Sequence, residues 1–231
     1  MSELSPEELR RIERFIAAYN IIDNWLQPQQ PAPTAFRTAV DYFAKRNPWW
    51  TDAETLRTFA ALRNFLTHEK IAPYVYPCVP TEEAVQEIEA ICGHLVSPPR
   101  AGELFTREVK VFQSTDRLES ALREMARSGY GVFPVWNELR FVGLLTATGI
   151  TRWLATQVEG ECLNLNVAVA DVLPRERQRQ TVRWAKPATP VGEVAFWFRE
   201  NTFLEAVLLS EDGTERSRLR GIATRGDVAG R

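Results

Sequence analysis

The chain has 231 residues, 45% of them apolar, with 28 lysines and arginines against 30 aspartates and glutamates. That length supports two domains with proper cores, and no apolar run approaches the roughly 20 residues that a membrane span needs. The N-terminus is acidic rather than charged and then greasy, so the expectation is a cytoplasmic protein with neither a signal peptide nor a membrane segment.

Ser5-Pro6-Glu7-Glu8 opens the first predicted helix, with serine as N-cap, proline in the first turn and a glutamate placed to return to the cap. Ile12, Phe15, Ile16, Tyr19, Ile22, Trp25 and Leu26 recur at helical spacing and predict one buried face. Three prolines between Gln27 and Thr34 break that helix into a loop. Phe36, Val40, Phe43 and Ala44 mark a second helix, stopped at Asn47-Pro48. Thr51-Asp52-Ala53-Glu54 reads as another capping box, ahead of a stripe made by Leu56, Phe59, Ala60 and Leu66. Pro73, Pro77 and Pro80 punctuate an irregular crossing. Thr81 then caps a fourth helix with Val85, Ile88, Ile91 and Cys92 inward and His94 near its end, and Pro98-Pro99 closes the segment. Four such helices predict a small up-and-down bundle over residues 1–98. Cys78, Cys92 and Cys162 are odd in number and lack a CxxC pair, which fits neither a disulfide framework nor a zinc site. The seven tryptophans read as core or interface residues.

Within the third helix, Arg63-Asn64-Phe65-Leu66-Thr67-His68 sets an arginine five residues before one of the two histidines of the chain. This motif resembles the signature of HEPN domains, helical bundles often found as metal-independent ribonucleases or as their inactive relatives. The resemblance implies a homodimer whose two motifs share one cleft. His68 would shuttle a 2′-hydroxyl proton and Arg63 would steady the charge of the phosphorane, with Asn64 beside them. On a straight helix Arg63 and His68 stand about 140° apart, so they converge only if the helix ends near Thr67 or a partner completes the site. Asn64 and His68, four residues apart, share a face. The plain alternative is an arginine and a histidine that answer the macrodipole at a helix C-terminus.

Beyond residue 99 the chain repeats itself. A slide of 73 residues lays Asp116-Arg117-Leu118 on Thr189-Pro190-Val191, and Ala121, Leu122 and Met125 on Val194, Ala195 and Phe198. The same slide lays Phe133-Pro134-Val135 on Ala206-Val207-Leu208. The offset then grows to 78, assigned to five extra residues in a turn around Glu211 to Arg218, so that Gly143 meets Gly221 and Thr146 meets Thr224. Each copy reads β-α-β-β-α. The expected fold is therefore α+β in two parts: an all-α bundle over 1–98, then repeats over 99–160 and 161–231.

Gly221-Ile222-Ala223-Thr224-Arg225-Gly226-Asp227 runs an apolar strand end into a hydroxyl and, three residues on, a carboxylate. A carboxylate accepts both hydroxyls of a ribose diol, and the free N–H groups of such a turn suit a phosphate. Helix capping by Asp227 is the competing reading. The earlier copy, Gly143 to Gly149, has Thr146 but carries glycine in place of the acid.

Together with Thr115 to Leu122 and Phe133-Pro134-Val135, these stretches resemble a tandem pair of CBS domains over roughly the last 130 residues. The resemblance implies an adenosine-containing ligand between the copies: AMP, ADP, ATP or another adenosyl compound, acting as a regulator and not as a required cofactor. It places Thr224 and Asp227 at the ribose and Arg225 near a phosphate, with Thr146 in the equivalent and incomplete pocket.

Two functions of different class follow. In one, an adenine-nucleotide sensor passes its signal to a helical domain that dimerises or docks a partner. In the other, nucleotide occupancy regulates an RNA-cleaving bundle. Residues 1–99 carry nine basic against thirteen acidic residues, the remainder 19 against 17, which disfavours tight binding to a nucleic-acid backbone. The basic cluster from Arg175 to Lys186 reads as a solvated linker.

Overall fold

A computed structural model describes residues 4–68, 76–157, 164–173 and 181–229. The chain divides into two units, Met1–Pro99 and Arg100–Arg231.

The first unit is built on helix α1 (Pro6–Leu26). Its cap forms as its residues predict: Glu8 N–H donates to Ser5 Oγ at 3.3 Å, and the Glu8 carboxylate accepts from the Ser5 N–H at 2.7 Å. The proline-rich stretch begins with a single 3₁₀ turn, Gln27–Gln29. Helices α2 (Phe36–Arg46), α3 (Ala53–His68) and α4 (Glu82–Val96) follow. The capping box expected at Thr51 and Glu54 does not form. Leu56 N–H donates to the Asp52 carbonyl at 3.0 Å, which makes Asp52 the cap. The Glu54 carboxylate is instead held by Arg57, which also reaches Asp41 at 2.7 Å.

Phe15, Ile22, Leu26, Val40, Leu56, Leu66, Val85 and Ile88 close one core among the four helices. Each such side chain contributes about 1.5–3 kcal/mol relative to exposure. Arg14 forks from α1 to Glu82 and Glu89 of α4 at 2.9 and 2.6 Å, but these groups are about a third or more exposed and add little.

The second unit holds two three-stranded sheets, β1-β2-β3 and β4-β5-β6. In the first copy β1 (Phe112–Gln113) pairs parallel with β2 (Val132–Asn137) across helix α6 (Leu118–Ser128). Strand β3 (Arg140–Thr146) returns antiparallel and runs into α7 (Ala147–Thr156). The second copy repeats that order with β4 (Val182–Ala185), α9 (Val191–Glu200), β5 (Ala206–Ser210), β6 (Leu219–Thr224) and α10 (Arg225–Val228). Between the copies lies the short helix α8 (Val169–Val172), and before the first lies α5 (Ala101–Phe105).

Strand register corrects the repeat alignment by one residue. Val132 stands opposite Thr146 and Ala206 opposite Thr224, so Val132 matches Ala206 and Phe133 matches Val207. Burial agrees: Phe133, Val135 and Leu145 face α6 and α7, as Val207, Leu209 and Ala223 face α9 and α10. The uncorrected slide would have put Phe133 on Ala206, which faces the opposite way. One residue reverses every side chain of a strand. The extra residue lies between α9 and β5, and only the other four lengthen the β5–β6 turn. The opposite faces of both sheets meet in a shared cluster of Leu144, Ala206, Leu208 and Ile222.

The short helices are exchanged. Helix α5 precedes the first copy, yet Ala101 and Phe105 are buried in the core of the second. Ala101 N–H donates to Thr189 O and Gly102 N–H to Pro187 O, both at 2.8 Å. Helix α8 precedes the second copy and buries Val169 and Val172 in the first. There Val169 N–H donates to Asp116 O at 2.8 Å and Ala170 N–H to Ser114 O at 2.9 Å.

Candidate functional site

Between the two copies the second unit opens a cleft of about 640 Å³. The segment ahead of β1 supplies Arg107, Val109 and Lys110 to its wall. The end of α6 and the start of β2 supply Gly129 to Phe133, and β6 supplies Ile222 and Thr224. Gly129 stands at φ 72°, the left-handed conformation that ends α6 and turns the chain into the cleft wall. Gly221 lets two backbones meet, because a Cβ there would lie 2.1 Å from the Phe105 carbonyl oxygen. That contact carries the chain from α5 past β6 and delivers Arg107 to the turn after Thr224.

At this turn Thr224 N–H and the Thr224 hydroxyl both donate to Asp227 Oδ2 at 2.7 Å. Arg107 grips the same carboxylate, Nη1 to Oδ1 at 3.2 Å and Nη2 to Oδ2 at 3.0 Å. Burial pushes the Asp227 carboxyl up, but the bonds from Arg107 and Thr224 outweigh it and hold the group below its ordinary value of 3.8. The Arg107 guanidinium also lies 6.0 Å from the centroid of the Tyr130 ring. Lys110 sits over Phe112 at 5.6 Å. Arg127, at the rim, is answered by Glu124 at 2.8 Å.

Thr224 is in the wall of the cleft, and Asp227 stands behind Thr224 and Arg107 rather than in the wall. Arg225 turns elsewhere: its guanidinium donates to the carbonyls of Phe198 at 2.7 Å and Asn201 at 3.2 Å, closing the end of α9. Thr146, in the first copy, accepts from Gly149 N–H at 2.8 Å and caps α7. Arg107, Lys110 and Tyr130 belong to no motif legible in the chain. The only signal for Arg107 was its place just after Ala101-Gly102-Glu103, which corresponds to Val169-Ala170-Asp171 ahead of the second copy.

In the helical unit, Arg63 lies 5.4 Å from the Tyr19 ring centroid, and its Nη1 donates to Asn64 Oδ1 at 3.4 Å. Burial, with Asp23 nearby, pushes the Tyr19 phenol up to about 12. Asn64 and His68 are exposed, and His68 ends the described part of α3. Among the described residues no hydrogen bond joins Arg63 to His68.

Residues 101–156 match the family model of the CBS domain. The match covers α5 and the whole first copy. The second copy has the same strand order, so the unit is a pair of CBS-like folds behind a helical region. Several solved structures are similar. Protein MJ1225 from Methanocaldococcus jannaschii, described as an archaeal homolog of g-AMPK, is 23% identical with a TM-score of 0.46, over 73% of this chain and 62% of its own. The CBS domain pair of protein MJ0100, in complex with 5′-methylthioadenosine and S-adenosyl-L-methionine, is 17% identical with a TM-score of 0.45, over 57% and 94%. The conserved CBS domain protein TA0289 from Thermoplasma acidophilum is 20% identical with a TM-score of 0.45, over 56% and 67%. The chain thus spans less than two thirds of the first of these proteins. No curated protein matches it. Among the described residues no helix is long and apolar enough to cross a membrane, and no cluster of histidine, cysteine and acid side chains could hold a metal ion.

Proposed function

We propose that this protein is a regulatory sensor that takes an adenine nucleotide, or another adenosyl compound, in the cleft between its CBS-like copies. The observation that carries this reading is the Thr224–Asp227–Arg107 cluster standing at one wall of a cleft whose lining pairs an apolar patch with charged side chains. Val109, Val132 and Ile222 offer a surface for a purine. The Thr224 hydroxyl and the carboxylate behind it suit a ribose diol, and Arg107 with Lys110 suits phosphates. Occupancy passes to the helical unit, which pairs with a second copy of the chain or docks a partner, provided the ligand binds the partnered and unpartnered forms with different affinity.

Calorimetry with AMP, ADP, ATP and S-adenosylmethionine tests the reading. Asp227→Ala should weaken the best of these about tenfold, as expected for loss of a hydrogen bond to a charged group worth ~1.5–3 kcal/mol. Unchanged affinity removes Asp227 from the site. A thermal-shift panel in which no adenosyl compound raises the melting point removes the sensor.

A second reading, nucleotide-regulated ribonuclease activity of a HEPN-like bundle, draws on Arg63, whose Nε is buried without a hydrogen-bond partner beside the exposed Asn64. His68→Ala should abolish RNA cleavage while leaving nucleotide binding intact. Wild type and variant that are equally inactive eliminate this second activity.

A further inference from the structure

The carboxylate that the proposed site assigns to a ribose is already occupied. Asp227 accepts four donors: the Thr224 N–H, the Thr224 hydroxyl and both terminal nitrogens of Arg107. Oδ2 takes three of these bonds and Oδ1 one, so a diol cannot set both hydroxyls on the acid while Arg107 stays. The two partners differ in position as well. Arg107 is in the wall of the cleft, its side chain 36% exposed, whereas Asp227 is 24% exposed and stands behind it. Whatever reaches the acid must first move the arginine.

We propose that Arg107 is a specificity-determining residue of this cleft, leaving Asp227 for an anionic group on the ligand, so that phosphorylated nucleosides enter and uncharged ones are excluded. The inference rests on the reading of the cleft as a nucleoside site. An uncharged nucleoside offers Asp227 two neutral hydroxyls in exchange for a two-pronged, charge-assisted hold. It also strands the guanidinium in a half-buried wall without a counter-charge. A phosphate removes both penalties, because its oxygens match the planar fork of the arginine. Tyr130, a residue 60% exposed, provides the surface on which the guanidinium turns, its ring centroid 6.0 Å from the Arg107 centre. Lys110 is in none of the ion pairs among the described residues, so it is a second cation for the same phosphate. Arg127 is not, since Glu124 already holds it.

The experiment is calorimetry on the full chain with AMP and with adenosine, which share the base and the diol and differ in the phosphate. Wild type should bind AMP at least about tenfold more tightly than adenosine, the size expected of one bidentate phosphate contact. In Arg107→Met that preference should shrink to what Lys110 alone supports, with AMP weakened and adenosine strengthened, because Asp227 is then released. Arg107→Lys keeps the charge but not the fork. It should narrow the preference for AMP without abolishing it, because adenosine then binds more tightly than it does to wild type, and it serves equally if the methionine variant does not fold. An unchanged AMP-to-adenosine ratio in either variant overturns the role of Arg107 and leaves the nucleoside site standing. Adenosine weakening in parallel with AMP overturns it as well. If wild type binds neither compound, the nucleoside reading fails and this inference fails with it.

Discussion

The two copies of the CBS-like fold reach the same turn with the same threonine and then part ways. In the first, Thr146 Oγ1 accepts the Gly149 N–H at 2.8 Å, a neutral cap on α7. In the second, the Thr224 hydroxyl donates to Asp227 at 2.7 Å, and that acid reaches across to Arg107. One residue type, glycine or aspartate, thus decides whether the threonine hydroxyl accepts a hydrogen bond or donates one. It also decides whether the turn is tied to the segment ahead of β1. The copy with the acid gains a charged anchor, and among the described residues the copy without it shows a helix cap. A duplicated scaffold can carry two unlike corners without altering its strands.

The sharpest way to break this comparison is Gly221→Ala. A Cβ at that position meets the Phe105 carbonyl oxygen at 2.1 Å and Thr106 Cα at 3.0 Å, so α5 and β6 must separate and Arg107 is carried off with them. We expect a loss of ~3 kcal/mol or more, read as a lowered urea midpoint, together with loss of ligand binding.

Asp227→Asn should cost less, ~1 kcal/mol at neutral pH, because the pair it breaks is only partly buried. Its signature is the pH dependence. The folded carboxyl lies below its ordinary value of 3.8, so the unfolded state takes up the proton more readily. The stabilisation is full above that value and drains away as the pH falls through the lower, folded one. The gap in urea midpoint between wild type and Asp227→Asn should therefore narrow on going from neutral pH to below 3.8. A gap that widens in acid would contradict the assignment.

Gly149→Asp sharpens the comparison from the other side and has the smallest expected effect. Its Cβ would lie 3.1 Å from Thr146 Oγ1, close enough for the hydroxyl to turn and donate as Thr224 does. Stability should change by no more than ~1 kcal/mol. The variant should also show an added loss of stability in acid that wild type lacks, measured by melting temperature against pH.

Much of this architecture is legible in the chain because it rests on short-range rules. The Ser5 and Thr81 caps and the stripes from Ile12 to Leu26 and from Val85 to Ile91 depend on residues a turn or two apart. So does the Thr224–Asp227 pair. What escapes is non-local or depends on competition. Thr51 and Glu54 have the spacing of a capping box, but the helix starts one residue later on Asp52 and Arg57 takes the Glu54 carboxylate. The single residue inserted between α9 and β5 cannot be placed by similarity alone, since Phe133 and Ala206 are both apolar. Only the pairing of Ala206 with Thr224 locates it. Arg107 is 120 residues from Asp227, and nothing in its neighbours marks it as a partner.

The exchange of α5 and α8 bears on how such a chain can be divided or recombined. A fragment severed between the copies would take Ala101 and Phe105 away from the core they fill and leave Val169 and Val172 behind with the other piece. Each fragment would expose a greasy hollow and carry an unmatched apolar turn. Inheritance, shuffling and engineering of this module must therefore handle both copies together, with the duplication surviving as an indivisible whole.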